Sequence, residues 1–350
     1  MTIKNSGPLT FTEIHDEFKT LGSNFGSKPY ALSEYYNLPV GIGLPQSGEI
    51  KFSDFYGKSN IIYVPSSKWI DISDNQIGSK YNRRNCDLWE SLKAMGYTDP
   101  ARNYDIILPI DYWLWSSSTG NAGLTVPSNM TGINVFRNSG NIIGKGGNGG
   151  NSNLNGSAGG PALEVKSTSP FTLINTTDAH IAGGGGGGSG GRGAGAGGAG
   201  GGAGGSGAGT DNNGAGGSGG NLNASGTNGN NASQAGGGKG GGAGGGGGGA
   251  DNENGCLNDN GAGGGGGGGR ILPGVGGAGG GGEAGETGGA GGSGNNAGGA
   301  AVSNAGGGGG GWGKSGGSTG SRAGGTGGAA IKTSSNQFVT FNSGAIWGSV

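Results

Sequence analysis

Hydrophobic and polar positions fall into three textures along this chain, and each predicts a different kind of element. In NCDLWESLKAMGY (85–97) the apolar side chains Leu88, Leu92 and Met95 recur at helical spacing and stop at Gly96, which predicts a short helix. YDIILPIDYWLW (104–115) is β-rich, with Pro109 favouring an edge or a bulge. GINVFRNSGNIIGKGG (132–147) reads as two strands around a turn at Asn138, Ser139 and Gly140. Residues 61–142 therefore predict a compact α+β domain. The tail AAIKTSSNQFVTFNSGAIWG (329–348) returns to strand-like alternation, so 331–350 are expected to be closing strands.

The first texture covers residues 1–60. GPLTFTEIHDEF (7–18), KPYALSEYYN (28–37) and GEIKFSDFYG (48–57) share one plan: an apolar or aromatic residue, a Ser or Thr, an acid, then a bulky apolar residue. The hydroxyl suits the cap of a short helical turn, and the acid suits its first turn. GPL and GEI read as short strand entries. The expectation is a small β-rich module with Phe11, Ile14, Leu32, Tyr35, Phe52 and Phe55 as its core. So small a module is marginal alone and is expected to dock on a partner.

From Gly144 onward glycine takes over. Between Gly183 and Gly328 roughly half of the positions are glycine, against an ordinary usage of about 7%. Pure glycine blocks at 183–188, 244–249, 263–269 and 306–311 alternate with breaks that hold the charged and large side chains. A linker needs neither this rhythm nor an apolar closing segment. Collagen needs glycine strictly every third residue and abundant proline, but Pro273 is the only proline between 183 and 328. A calcium β-roll needs an aspartate in each repeat, and Asp211, Asp251 and Asp259 are too few.

What remains is polyglycine II, an extended helix with three residues per turn and a rise of about 3.1 Å per residue, as in polyproline II. Its N–H and C=O groups point outward, so each finds a partner on a neighbouring rod. The backbone network then replaces an apolar core. Each bond contributes about 1 kcal/mol net, so many are needed to offset the entropy lost by glycine. Buried rods must be nearly pure glycine, whereas outer rods tolerate Ala, Ser or Asn on one side. The fold expected is a small N-terminal β-rich module (1–60), an α+β attachment domain (61–142), a polyglycine II sandwich with short β elements (143–330), and closing strands (331–350), with little regular α-helix.

Charge and candidate chemistry narrow the function. The formal net charge is −1, so nothing favours nucleic acid or an anionic membrane. The N-terminal stretch has no apolar signal-peptide core, and no run reaches the length of a membrane-spanning helix. Cys86 and Cys256 stand apart in different contexts, which fits free thiols and synthesis in a cytosol. Histidine occurs only at 15 and 180, so no zinc site or Ser-His-Asp arrangement is expected. GGGGWGKS (308–315) matches the phosphate-binding loop pattern. That pattern needs a preceding strand and a following helix, and here glycine flanks it on both sides. No cofactor, no metal and no enzymatic activity are expected.

The stretches INVFRNSGNIIGKGGNGG and FTLINTTDAHIAGGGGGGSGG, the alternating runs and breaks, and the closing GAIWG resemble the receptor-recognition adhesins at the tips of T-even-type phage long tail fibres. The resemblance covers about residues 85–350. GEIKFSDFYG separately resembles a small module common in tailed-phage structural proteins. The adhesin resemblance implies a polyglycine II sandwich whose distal loops bind the bacterial surface. It implies a host outer-membrane protein or lipopolysaccharide as one partner. A tail-fibre or tail-tip protein, held through the N-terminal region, is the other. The place implied is the distal tail fibre or tail tip of the virion, after synthesis in the host cytoplasm. The alternative is a structural tail protein that uses the glycine slab as a rigid spacer or plug, and a nucleotide-binding loop is the remote third reading.

With rods alternating in direction, the breaks fall into two sets, 221–234, 270–273 and 295–305 against 210–213, 250–260, 283–287 and 312–322. The candidate receptor-binding residues in these breaks are Leu222, Asn223, Asn230, Asn252, Leu257, Asn258, Arg270, Ile271, Leu272 and Trp312. Trp312 has a second reading, as a lid packed on the slab edge.

Overall fold

The computed structural model describes residues 3, 6–18, 35, 44, 48–56, 61–77, 80–150, 154–190, 296–300, 306–320, 322–334 and 338–350. Most of its regular structure is parallel β-sheet. A first coil of chain supplies β1 (Ile61–Val64), α2 (Ser67–Asp71, following α1 at Phe11–Phe18), β2 (Asn75–Ile77), β3 (Lys80–Arg84) and β4 (Cys86–Asp87). After α3 (Leu88–Ala94), the next coil supplies β5 (Asn103–Leu108), β6 (Tyr112–Trp115) and β7 (Leu124–Val126). A third coil follows with β8 (Asn134–Asn138), β9 (Asn141–Ile143) and β10 (Leu163–Val165). A fourth has β11 (Phe171–Asn175), β12 (His180–Ala182) and β13 (Ile331–Thr333), and the last has β14 (Phe338–Asn342) and β15 (Ala345–Trp347).

The three middle coils each give one strand to each of three sheets, the first coil gives two, β2 and β3, to one of them, and the last gives strands to two of the three. The sheets run β1-β5-β8-β11-β14, β15-β12-β9-β6-β3-β2 and β13-β10-β7-β4. Every pairing between coils is parallel, and among the named strands of the described residues only β2 with β3 is antiparallel. The result is a three-sided solenoid. In it Asn138, Ser139 and Gly140 turn a corner between two sheets rather than close a hairpin. A side chain does not fit there, because a Cβ on Gly140 would lie 2.4 Å from the Tyr112 carbonyl oxygen.

Alternation explains the interior. In β5 and β8 every second residue is buried, so one face of each strand lines the core. Equivalent positions stack in register: Leu114, Ile142, Ile181 and Ile346 on one sheet, and Cys86, Leu124, Leu163 and Ile331 on another. On the sheet β1-β5-β8-β11-β14, Leu108, Asn138, Asn175 and Asn342 line up. There the Asn138 amide donates to Asn175 Oδ1 at 2.7 Å, and the Asn175 amide donates to Asn342 Oδ1 at 2.8 Å. Stacking thus lets buried amides satisfy one another.

Two expectations change, and the N-terminal module adds a detail. The 61–142 segment is not a closed α+β domain. Its strands β5 to β9 continue into later coils, and α2 and α3 are short. The predicted helix is present as α3, capped by Asp87 Oδ1 accepting from the Glu90 amide at 3.0 Å, and it ends before Gly96 at φ +97°. Residues 163–182, assigned by composition to the glycine-rich segment, form β10, β11 and β12 of the solenoid. In the N-terminal module no strand occurs among the described residues. Its elements are α1 and a 3₁₀ turn over Phe52–Phe55.

The cause in α1 is local. Thr10 and Glu13 form a reciprocal cap: the Thr10 amide donates to Glu13 Oε2 at 2.8 Å and the Glu13 amide to Thr10 Oγ1 at 3.2 Å. Ile14, Tyr35 and Phe55 are buried with Phe18, Leu44 and Ile50, while Phe11 and Phe52 stack edge to face at 4.7 Å on the margin. Leu32 lies outside the described residues.

Candidate functional site

The connection from the second sheet to the third lengthens with each coil. It spans 116–123 after β6, 144–162 after β9, and 183–330 after β12. The glycine runs are thus insertions at one corner of the solenoid. They also begin in register with its strands. Ile143 pairs with Ala182 at the end of β9 and β12, and the Gly144, Gly147 and Gly150 amides then donate to the carbonyls of Ala182, Gly185 and Gly188, each at 2.8 Å. The pairing period changes from two residues to three as side chains give way to glycine.

The run 183–190 is bonded on every side. The amides of Gly184, Gly187 and Gly190 donate to Gly160, Ser157 and Leu154, all at 2.9 Å. Those of Gly183, Gly186 and Ser189 donate to Trp347, Lys314 and Gly317 at 2.9, 2.8 and 3.0 Å. The carbonyls of Gly183, Gly186 and Ser189 accept from Gly313, Gly310 and Gly307 at 2.7, 2.8 and 2.8 Å. The carbonyls of Gly184 and Gly187 accept from Gly328 and Gly325, both at 2.7 Å. No side chain fits between such neighbours. A Cβ on Gly186 would lie 1.8 Å from the Gly325 oxygen, and every residue from 183 to 188 has a backbone oxygen within 2.1 Å of that position.

Composition follows burial. The pure blocks 183–188 and 306–311 are buried throughout. Mixed runs carry their side chains outward at every third position: Lys145 and Asn148 on one, Ala323, Thr326 and Ala329 on another.

Nine of the ten candidate binding residues (Leu222, Asn223, Asn230, Asn252, Leu257, Asn258, Arg270, Ile271 and Leu272) lie outside the described residues. Trp312 is described, and it is fully buried. Its ring sits 5.0 Å from Trp347 and 6.1 Å from His180, beside Trp113, Ile143 and Ala182 on the outer side of the second sheet. It is therefore placed as a lid rather than on an exposed loop, because Trp115, Ile143, Ala182 and Trp347 share one register row and give it an apolar seat. No sequence signal joins these residues, which are distant along the chain.

The phosphate-loop match lacks its context. Among the described residues no strand leads into 308–315 and no helix follows. Their amides are also engaged, Gly308 with Gly299 at 3.0 Å and Gly311 with Asn296 at 2.9 Å. Among the described residues no group of three His, Cys, Asp or Glu side chains converges on a metal position. No helix of the described residues is long and apolar enough to cross a membrane. Burial pushes the Cys86 thiol up to about 12, so it stays protonated, with Sγ 3.1 Å from Ser91 Oγ. On the third sheet Glu164 bridges Lys332 at 2.8 Å and Lys166 at 3.3 Å. Burial alone would raise its carboxyl, but the bonds from the two lysines hold it below the ordinary value.

Comparison with known proteins adds three findings. The family model described as phage tail fibre adhesin Gp38 matches residues 73–262. No curated protein matches. Among solved structures, the crystal structure of the gp37–gp38 adhesin tip complex of the bacteriophage S16 long tail fibre aligns with a TM-score of 0.45 and 17% identity, over 99% of this chain and 100% of that one.

Proposed function

Because the chain belongs to the phage tail fibre adhesin family, we propose that it stands at the tip of a tail fibre and binds a host surface receptor through loops carried on a polyglycine II sandwich. The observation that carries this reading is the three-residue hydrogen-bond period of run 183–190, bonded to neighbours on all sides. A scaffold cored by backbone is stiff and leaves side chains to its breaks. Rigid support with variable loops is a common arrangement for recognition.

In this reading the breaks at 210–213, 221–234, 250–260, 270–273, 283–287 and 295–305 supply the contacts, with Leu222, Asn223, Asn230, Asn252, Leu257, Asn258, Arg270, Ile271 and Leu272 as anchors. Trp312 instead holds the scaffold. The receptor is an outer-membrane protein or lipopolysaccharide, and the chain acts by binding rather than catalysis. The solenoid and the N-terminal module form the side that meets the fibre. The S16 neighbour is a complex of an adhesin with a second fibre protein, and a fibre protein is the partner proposed here.

The test compares purified protein with a variant in which 221–234 and 250–260 are replaced by short Gly-Ser turns. The wild type is expected to bind host cells, and the folded variant is expected to lose binding. Equal binding by both would overturn the loop assignment. Absence of binding by the wild type would favour the spacer reading.

A further inference from the structure

We propose that residues 347–349 form a strap that locks the longest glycine insertion to the solenoid, so that layers and coils become one body only when the strap closes. A regularity of the corners leads to it. At each of the three corner insertions, the residues at the two feet donate to the coil that follows. Ser116 and Leu124 donate to the Ile143 and Ala162 carbonyls at 3.0 and 2.9 Å. Gly144 and Ala162 donate to Ala182 and Ala329 at 2.8 and 3.0 Å. Gly183 and Ala330 donate to Trp347 and Ser349, both at 2.9 Å. The feet of the 183–330 insertion are thus tied to one short stretch, and Ile331 adds a second bond to the Ser349 carbonyl at 3.1 Å.

That stretch permits a close crossing. Trp347 ends β15 and pairs with Ala182 of β12. Gly348 follows at φ +124°, and a Cβ there would lie 2.7 Å from both the Ala330 nitrogen and the Gly328 oxygen. Gly313, where the run from 306 returns to the solenoid, is at φ +64°, and its Cβ would lie 2.5 Å from Gly348 Cα. Backbone meets backbone at both crossings, in conformations that glycine adopts without strain. The Trp312 ring, next to Gly313, lies 5.0 Å from Trp347. The strap therefore touches the layer at three points, Gly183, Gly313 and Ala330.

The earlier feet lie under coils that give a strand to all three sheets, whereas the strap belongs to a coil that gives only β14 and β15. Opening 347–349 breaks bonds to the layer and none of the pairings among β5, β8 and β11. It is thus a local opening, separable from unfolding of the solenoid. Chain order adds a sequence of events. All of 183–330 precedes the strap, so both feet stay untied until the chain has passed Ser349. The lock rests on backbone bonds and stands apart from the receptor reading.

Amide hydrogen exchange of the full chain carrying Gly348→Ala tests this. Protection is expected to be lost at Gly183, Ala330 and Ile331 and retained in strands 103–108 and 134–138. If Gly348→Ala does not fold, Trp347→Leu, which removes the ring beside Trp312, decides in its place. Protection retained at Gly183, Ala330 and Ile331 in the folded variant overturns the proposal. So does an equal loss in the feet and the two strands, which would make 347–349 part of the solenoid core.

Discussion

The solenoid and the glycine layers are two answers to the same requirement, that every buried backbone group be paired. In the solenoid the strands bond along the sheets, and side chains such as Phe136, Leu173 and Ile181 fill the space within. In the glycine layers the backbone bonds in several directions, and no space is left to fill. The first design tolerates variation in its core side chains at a graded cost. The second tolerates none at its centre, and side chains stand only where a position of a mixed run faces outward, as at Lys145, Asn148 and Thr326. That contrast separates positions open to change from positions closed to it, as a recognition protein requires.

The sharpest break of the comparison is Gly186→Ala. Its Cβ meets backbone oxygen at 1.8 Å, and no flexible side chain can move aside. We expect a loss of about 4 kcal/mol or more, or failure of the layer to form, read by thermal unfolding. Phe136→Ala removes a fully buried ring from the solenoid. It should cost about 3–5 kcal/mol while the chain still folds, in the same assay.

Asn175→Ala interrupts the amide stack and leaves the Asn138 and Asn342 amides without that partner. About 1–3 kcal/mol is expected, from denaturant unfolding.

A smaller effect is expected at Glu164. Its lowered carboxyl pKa makes a contribution that is present above the ordinary value of 4.5 and is lost as pH falls through the folded value. Lys332→Gln should flatten the acid limb of the stability profile only slightly, because the lysine is exposed and solvent screens the pair. Gly120→Ala should change nothing measurable, since the nearest atom to its Cβ is Ser118 Oγ at 3.7 Å.

What the sequence disclosed follows the range of its signals. The helix at 88–94 and the strands at 103–108, 134–138 and 338–342 rest on local periodicity, and they are where that periodicity places them. The solenoid was illegible because its pairings are parallel and distant: Phe171 aligns with Phe338 across the whole glycine insertion. Its interior also contains Asn134, Asn138 and Asn175, which read as polar interruptions until stacking supplies their partners.

In the N-terminal module the legible part was the helical turn, whose signal lies in the Thr10–Glu13 cap and the apolar spacing of Phe11, Ile14 and Phe18. The burial of the pure glycine blocks 183–188 and 306–311 was legible from composition, because only a residue without a Cβ permits such close approach. The seat of Trp312 was not, since it is assembled from β6, β9, β12 and β15.

Amide hydrogen exchange of residues 183–190 in the intact protein, set against strand 171–175, tests the backbone-cored scaffold most directly. The account predicts protection at Gly183, Gly184, Gly186, Gly187, Ser189 and Gly190 comparable to that of the strand, because each of these amides donates to a neighbouring run or strand. Exchange at the rate of an unstructured chain, with the strand still protected, would contradict it.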